Sequence, residues 1–193
     1  MHLLDHARYE DLDLEGADLR AAELRGTEFV RWRLRRAMLV EARTHACRFD
    51  ECDLEGARLG GSDHQESAFL NCRLGSAGVF EARFAQCKMV GSSFEAAQWA
   101  KGRVEGGDWS LANLRAARLV ETDLADAVLK AADLRAAELS RAVLAGADVR
   151  GADLRGACPD GIDFGALALR SARPDSLQAI VVVRSLGAVV EDA

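Results

Sequence analysis

Five cysteines and four histidines are the side chains of this 193-residue chain that could hold a metal ion or act as nucleophiles. A zinc site needs closely spaced pairs of ligands, and no two of the cysteines are separated by only two residues. An odd number of cysteines also does not fit a secreted disulfide framework. We therefore predict that the protein has no metal ion, no cofactor and no disulfide framework. The cysteines are Cys47, Cys52, Cys72, Cys87 and Cys158.

Asp63 and His64 form an adjacent acid and base of the kind that a Ser-His-Asp hydrolase uses. The five-residue pattern described below directs His64 inward and Asp63 outward, so the two side chains cannot converge on a substrate. The chain also lacks the motifs of phosphate-binding loops, serine hydrolases and zinc proteases. We therefore predict that the protein is not an enzyme and has no catalytic residues.

The most regular feature of the sequence is a large apolar residue at every fifth position from Leu4 to Leu154, without an insertion. We call these the centre residues, and only Thr44 and His64 among them are not apolar. A second series, two residues before each centre, consists of small side chains, with Leu12 and Trp32 as the two large exceptions. Alanine occupies this small series at every step from position 127 to position 157.

A period of five matches neither the 3.6-residue period of a helix nor the two-residue period of a strand. It requires a chain that turns a corner every five residues and directs one large and one small side chain inward on each side. Four sides close a square coil, and successive coils stack about 4.8 Å apart. The pattern therefore predicts an all-β solenoid of about eight coils, roughly 35–40 Å long.

The steps of this pattern, such as Asp153-Leu154-Arg155-Gly156, match the signature A(D/N)LxG. From Leu4 to Ala157 the chain resembles the pentapeptide-repeat family. The resemblance implies a right-handed quadrilateral β-helix over residues 1–157. The register fails at Pro159, and an open solenoid end needs a cover. We therefore expect residues 158–193 to form a C-terminal capping and dimerisation segment.

The formal net charge of −6 argues against a nucleic-acid ligand, whose phosphates need a basic surface. Residues 20 apart fall on the same side of a square coil. The side centred on Leu24 and Thr44, which we call the acidic face, carries more carboxylates than cations. The side centred on Tyr9 and Phe29, the aromatic face, is close to neutral, and we interpret its aromatic column as core packing. The expected partner-binding residues on the acidic face are Asp63, Glu66, Glu105, Asp123 and Asp126.

The C-terminal segment contains the start and stop signals of a helix. Asp175 and Gln178 form a variant of the capping box, and Gly187 suits a helix end. The run 179–183 is apolar on all sides and β-branched, so helix and strand both remain open, and we expect a short strand over 188–190. A single helix would leave apolar surface on the last coil, so we expect a homodimer. The expected dimerisation residues are Leu177, Ile180, Val181, Val183, Leu186 and Val189.

Two stretches, 67–72 and 84–94, resemble the mycobacterial fluoroquinolone-resistance branch of the pentapeptide-repeat family, the MfpA-like proteins. The related Qnr proteins carry projecting loops, for which the unbroken register leaves no room. The resemblance implies a dimer whose acidic surface imitates DNA and binds DNA gyrase, or topoisomerase IV, inhibiting the enzyme or protecting it from fluoroquinolones. A binding or scaffold module for a different protein partner remains the alternative.

No stretch of the sequence approaches the roughly 18 consecutive apolar residues of a membrane-spanning helix. The N-terminus also lacks the basic region and apolar run of a secretion signal. We therefore expect a soluble, cytoplasmic protein with no membrane partner.

Overall fold

The computed structural model describes residues 7–158, 160–162, 164, 167, 169–185 and 187–190. Its strand pairings join residues 20 positions apart in parallel register, for example Tyr9 with Phe29. Single bridges continue the same register along the chain, ending with Asp153 and Arg173. The chain is therefore a four-sided β-helix with 20 residues in each coil, as the five-residue pattern predicts, and its coil is right-handed, as the family resemblance implies.

Two of the four sides carry short parallel sheets in the first part of the chain. The strands are β1 (Arg8–Glu10), β2 (Glu23–Arg25), β3 (Glu28–Val30), β4 (Arg43–His45), β5 (Arg48–Asp50), β6 (Asp63–Gln65), β7 (Ala68–Leu70), β8 (Arg83–Ala85) and β9 (Arg103–Glu105). The aromatic face holds a four-stranded sheet of order β1-β3-β5-β7, and the acidic face holds a five-stranded sheet of order β2-β4-β6-β8-β9. The third face, centred on residues 14–154, and the fourth face, centred on residues 19–139, consist of single bridges and turns.

Each corner of the coil turns on the residue two positions after a centre, which adopts a positive φ. At Glu66 φ is 49° and at Leu111 it is 61°, so ordinary L residues as well as glycines take this conformation. The left-handed conformation costs roughly 1–2 kcal/mol for an L residue. The N–H of the corner residue donates to a carbonyl of the next coil, as from Ala96 to Arg115 at 2.9 Å. The stacked neighbour therefore stabilises a corner that is strained by itself.

The corners are of two kinds, which differ in how the carbonyl of the centre residue is satisfied. On the third and fourth faces the N–H of the following small residue donates to it, as from Ala37 to Leu34 at 3.0 Å. At several corners of the two strand-bearing faces, a side chain of the next coil donates to this carbonyl instead. The thiol donors are Cys52 to Phe29 (3.3 Å), Cys72 to Phe49 (3.4 Å) and Cys87 to His64 (3.3 Å). Inward thiols therefore occupy the small series where an open corner leaves a carbonyl unpaired.

The interior is filled by the centre residues, all of which are buried from Leu24 to Leu154. On the aromatic face, the ring centroids of Phe29 and Phe49 lie 4.6 Å apart and those of Phe49 and Phe69 4.5 Å apart. The alanines of the small series from 127 to 157 are buried as well. These contacts confirm the inward assignment of both series and the interpretation of the aromatic column as core packing.

A tryptophan in the middle of the rod determines the small residue beside it. A Cβ on Gly102 would lie 3.0 Å from the carbonyl oxygen of Trp99 and 3.1 Å from its Cε3 atom. The ring centroid of Trp99 lies 5.4 Å from that of Trp109, in an edge-on arrangement. Both indole N–H groups are buried without an acceptor among the described residues. The large ring therefore takes the volume that alanine fills elsewhere.

The C-terminal end of the rod is covered by helix α1 (Ser176–Ser185). Asp175 Oδ1 accepts a hydrogen bond from the N–H of Gln178 at 3.0 Å, and Gln178 Oε1 accepts one from the N–H of Asp175 at 3.0 Å, which confirms the predicted capping box. The Gln178 side-chain amide is buried and donates to the carbonyl oxygens of Leu154 (2.5 Å) and Ala157 (2.7 Å). The helix thus replaces the next coil as hydrogen-bond partner of the last regular one.

The end of helix α1 confirms one expectation and corrects another. Gly187 has a φ of 87°, its N–H donates to Arg184, and the N–H of Ala188 donates to Val183, which is a Schellman motif. The run 179–183 is helical, and the expected strand over 188–190 is wrong, because those residues pair with no neighbouring strand in the described part of the chain. None of the helices in the described ranges is long and apolar enough to cross a membrane.

The pairing of Trp99 with Gly102 predicts a strong energetic coupling. Gly102→Ala should destabilise the rod by about 1–3 kcal/mol through overpacking, and Trp99→Leu should destabilise it by leaving a cavity. The double variant restores the leucine–alanine step found elsewhere in the rod. Its loss of unfolding free energy should therefore be smaller than the sum of the two single losses by about 1–3 kcal/mol. Chemical denaturation of the four proteins measures this coupling, and strictly additive losses would contradict the proposed packing.

Candidate protein-interaction surface

Among the described residues there is no cluster of metal ligands, and two of the buried thiols, Cys72 and Cys87, are held in their protonated form. Within this part of the chain no group of three or more His, Cys, Asp or Glu side chains could hold a metal ion, and all five cysteines are free. Burial raises the pKa of the Cys87 thiol to about 12 and that of Cys72 well above its ordinary value. These thiols therefore stay protonated and act as hydrogen-bond donors to the backbone.

His64 lies in a buried polar cluster rather than in a site open to a substrate. Its Nδ1 atom is 2.8 Å from Thr44 Oγ1, its Nε2 atom is 2.9 Å from Ser62 Oγ, and Thr44 Oγ1 is 3.0 Å from Ser67 Oγ. All four side chains are buried. Burial lowers the pKa of His64 to about 4, against a smaller opposing effect of Asp63. The cluster pairs the two polar centre residues with each other, which their 20-residue spacing in the sequence could have indicated.

The five expected partner-binding residues share the acidic face but differ in exposure. Glu66 and Asp126 occupy corners with φ of 49° and 58°, and both are exposed, as is Glu105. Asp63 and Asp123 are half-buried. Asp123 Oδ1 accepts a hydrogen bond from the N–H of Ala125 at 3.0 Å, so this carboxylate also holds a turn.

Arg83 forms ion pairs with two of these five carboxylates. Its guanidinium lies 3.0 Å from Asp63 Oδ1, and Nε and Nη2 contact Glu105 Oε1 and Oε2 at 2.7 and 2.5 Å. The same guanidinium lowers the pKa of Glu105. Within the described part of the chain, Glu66, Asp123 and Asp126 have no such ion pair. These three carboxylates therefore keep their full negative charge, whereas Asp63, Glu105 and Arg83 together keep one negative charge.

The other faces pair their charges both within a coil, as Arg155 does with Asp153, and between stacked coils. Arg118 Nε lies 2.8 Å from Glu138 Oε2, and Arg73 lies 3.5 Å from Asp53, in each case across a 20-residue spacing. Even the basic cluster at residues 33–36 is paired in this way. Its contacts are Arg33 with Asp13 (3.6 Å), Arg35 with Asp53 (3.3 Å) and Arg36 with Glu15 (3.7 Å). Sequence reasoning missed these pairs, although their spacing of 18 to 21 residues, close to one coil, was the signal.

The fourth face carries an uncharged column that the sequence analysis did not single out. Phe80 projects from it with 47% of its surface exposed. The positions above and below it in the stack are small or apolar. They are Val40, Gly60, Ala100 and Val120. An exposed aromatic ring on a smooth, uncharged column is suited to apolar contact with another protein.

The expected dimerisation residues lie on helix α1 and just after it. Val181 packs against the core and Ile180 is half-buried, whereas Leu177 is 75% and Val189 91% exposed. Val183 is 41% exposed, and Leu186 lies outside the described residues. The helix therefore covers the last coil with one side and leaves apolar side chains on the other.

The depressed pKa of His64 predicts a loss of stability at mildly acidic pH. The unfolded chain binds a proton near the ordinary pKa of about 6.5, and the folded chain binds one only near pH 4, so stability falls as pH decreases between these values. From pH 7 to pH 5 the loss should be about 2 kcal/mol. The His64→Phe variant should lack this part of the pH-dependent loss of stability. Chemical denaturation of both proteins at pH 7 and pH 5 measures the difference. An equal loss in both proteins would contradict the assignment.

Comparison with known proteins supports the fold. A profile of pentapeptide repeats (8 copies) matches residues 13–43, 110–142 and 122–158, whereas no curated sequence matches the chain significantly. The structure of HetL, a pentapeptide repeat protein involved in heterocyst differentiation regulation in the cyanobacterium Nostoc, is similar, with a TM-score of 0.52 and 24% identity over 88% of this chain and 86% of HetL. A trypsin-treated form of QnrB1, a plasmid-mediated fluoroquinolone resistance protein, aligns with a TM-score of 0.44 and 22% identity over 97% of this chain and 89% of QnrB1. The repeat profile, together with the unbroken register and the four-sided coil, shows that the chain is built of pentapeptide repeats, whose solenoid fold is a structural or binding scaffold.

Proposed function

We propose that this protein is a binding module whose acidic face binds a basic, DNA-binding surface of DNA gyrase and so competes with DNA. The observation that carries the proposal is a straight, uninterrupted rod with a single distinctly acidic side. Three carboxylates on that side, those of Glu66, Asp123 and Asp126, have no cationic partner among the described residues. The resemblance of stretches 67–72 and 84–94 to the MfpA-like proteins supports gyrase as the partner.

Electrostatics decides which carboxylates contribute most. An unpaired carboxylate attracts lysine and arginine of a partner with its full charge, whereas Asp63 and Glu105 must first exchange Arg83 for a partner cation. Surface ion pairs of this kind are individually weak, so the exchange adds little to the affinity. We therefore expect the largest contributions to the affinity for gyrase from Glu66, Asp123 and Asp126. Asp63 and Glu105 should contribute less to it.

A C-terminal homodimer is the second part of the proposal. The exposed side chains of Leu177, Val183 and Val189 form apolar surface at the end of the rod. A second copy of the same surface would cover it by twofold symmetry, the commonest arrangement in homo-oligomers. Two rods joined end to end would double the length of acidic surface available to a DNA-binding groove.

A scaffold for a different protein is the competing function, and one observation favours it. The fourth face carries the exposed Phe80 within an uncharged column, and a DNA mimic has no use for such a surface. If this face binds the partner, Phe80→Ser should abolish the interaction while the carboxylates of the acidic face should be dispensable.

Charge reversal on the acidic face tests the gyrase proposal. Glu66→Lys with Asp126→Lys should weaken inhibition of gyrase supercoiling by about tenfold or more, because two attractive contacts become repulsive. The matched control is Glu41→Lys with Glu81→Lys, which changes two exposed corner residues of the same left-handed conformation on the fourth face. Binding by the native protein should also weaken as salt rises, since exposed charges are screened over about 10 Å at 0.1 M salt.

The Arg83→Gln variant should have the opposite effect on inhibition in the same assay. It frees the carboxylates of Asp63 and Glu105 and should strengthen inhibition, which no unfolded variant could do. The gyrase proposal fails if the native protein leaves supercoiling and fluoroquinolone sensitivity of gyrase unchanged. It also fails if the charge reversal on the acidic face and the control reversal on the fourth face weaken inhibition equally.

The dimer is tested with Leu177→Glu combined with Val189→Glu. Both side chains are largely exposed, so the substitutions should not disturb the rod, but they place charges in the proposed interface. Light scattering should then give the monomer mass of 20.8 kDa. The control is Leu111→Glu with Val143→Glu, two exposed apolar residues on the shaft, which should remain dimeric. Persistence of a dimer in the first variant would place the interface elsewhere.

A further inference from the structure

Three cations lie above one another near the C-terminal end of the aromatic face. Lys130, Arg150 and Arg170 occupy the same position in three successive coils. Backbone hydrogen bonds maintain this stacking, from Leu111 N to Lys130 O (2.9 Å), from Ala131 N to Arg150 O (3.0 Å) and from Gly151 N to Arg170 O (3.1 Å). The arrangement thus continues to Arg170, beyond the last regular alanine of the small series.

Stacking of like charges is unfavourable, and it departs from the pattern of paired charges on the rest of the rod. Neighbouring coils are about 4.8 Å apart, so like charges directly above one another repel. Elsewhere a cation commonly lies over a carboxylate 20 residues away, as Arg83 does over Asp63 and Arg118 does below Glu138. The column 130–150–170 contains no carboxylate of its own.

One carboxylate beside the column neutralises part of this charge. Asp148 Oδ2 lies 3.4 Å from Lys130 Nζ and 2.5 Å from Arg150 Nη2, and these cations hold the pKa of Asp148 well below its ordinary value. Arg170 is exposed and has no ion pair within the described part of the chain. Lys130 and Arg150 therefore share one carboxylate, Arg170 adds a third cation, and the site keeps a net positive charge.

These side chains line a shallow, open depression of about 500 Å³ on the surface, formed by Lys130, Arg150, Gly151, Arg170 and Ser171. Gly151, with a φ of 72°, adds no side chain to it, and Ser171 adds a hydroxyl group. Arginine forks and a lysine ammonium bind phosphate oxygens with charge-assisted hydrogen bonds. We infer that this depression binds a short phosphate chain, such as that of an oligophosphate or a nucleoside triphosphate.

The size and surroundings of the site favour a small anion over a nucleic acid. The cations span only three coils, about 10 Å by the strand spacing. A DNA duplex requires a longer basic track, because its affinity depends on neutralising many phosphates. The chain carries a net charge of −6, and no further cation follows Arg170 in the 20-residue register, which would place it at position 190. A compact ligand with several negative charges fits these limits, and its binding is independent of the gyrase proposal.

Calorimetric titration with inorganic tripolyphosphate tests the inference on the full chain. The native protein should bind it, and Arg150→Gln with Arg170→Gln should weaken binding by about tenfold or more. The matched control is Arg118→Gln with Arg58→Gln on the fourth face, again one ion-paired and one unpaired arginine. This control should bind like the native protein, and thermal unfolding should show both double variants to be folded.

Asp148→Asn provides a gain of affinity that misfolding cannot imitate. An asparagine retains the oxygen that accepts the N–H of Arg150 at 3.2 Å, but it releases Lys130 and Arg150 from the competing charge. Tripolyphosphate should then bind several-fold more tightly. The inference is overturned if the native protein does not bind tripolyphosphate, if the control pair loses affinity equally, if Asp148→Asn weakens binding, or if a short DNA duplex binds more tightly than tripolyphosphate.

Discussion

The hydrogen bonds between successive coils are the constraint on which the rest of this structure depends. The corner residues adopt a left-handed conformation that is unfavourable for most L residues, and most of their N–H groups donate to the next coil. A single coil therefore has no stability of its own, and each coil is held by its neighbours. The ends show the same dependence. Centre residues Tyr9 and Leu14 are only half-buried, and at the other end Gln178 replaces a missing coil by donating to two carbonyls of the last one.

The same constraint explains the polar atoms inside an otherwise apolar rod. Open corners on the acidic and aromatic faces leave the carbonyl of the centre residue without a donor from its own corner, and inward Cys and Ser side chains of the next coil supply one. A buried carbonyl without a partner would cost about 1–3 kcal/mol, so a thiol at these positions contributes more than its volume. The cluster around His64 follows the same rule, since each of its polar atoms pairs with a residue of the same or a neighbouring coil.

On the surface, the coil spacing brings outward side chains of successive coils within reach of ion pairing. Most charges are therefore neutralised locally, and the net charge of a face overstates the charge that a partner meets. Arg83, which binds Asp63 and Glu105, shows this most directly. The surfaces left for binding are the positions where stacking fails to provide a partner. They are the corner carboxylates of the acidic face, the cation column 130–150–170 and the uncharged column around Phe80.

The amino-acid sequence by itself determined the coil. A five-residue period admits only a chain that turns at every fifth residue, and the alternation of large and small inward residues is written in consecutive positions, so the four sides, the core and the capping box of Asp175 and Gln178 could be predicted from local pattern. The tertiary structure decided the state of the surface and of the C-terminus. Arg83 reaches carboxylates 20 and 22 residues away, and the helix over 176–185 is held by the last coil through Gln178. Such contacts depend on which side chains face one another across stacked coils and on the rotamers they adopt, and a local sequence pattern does not contain that information.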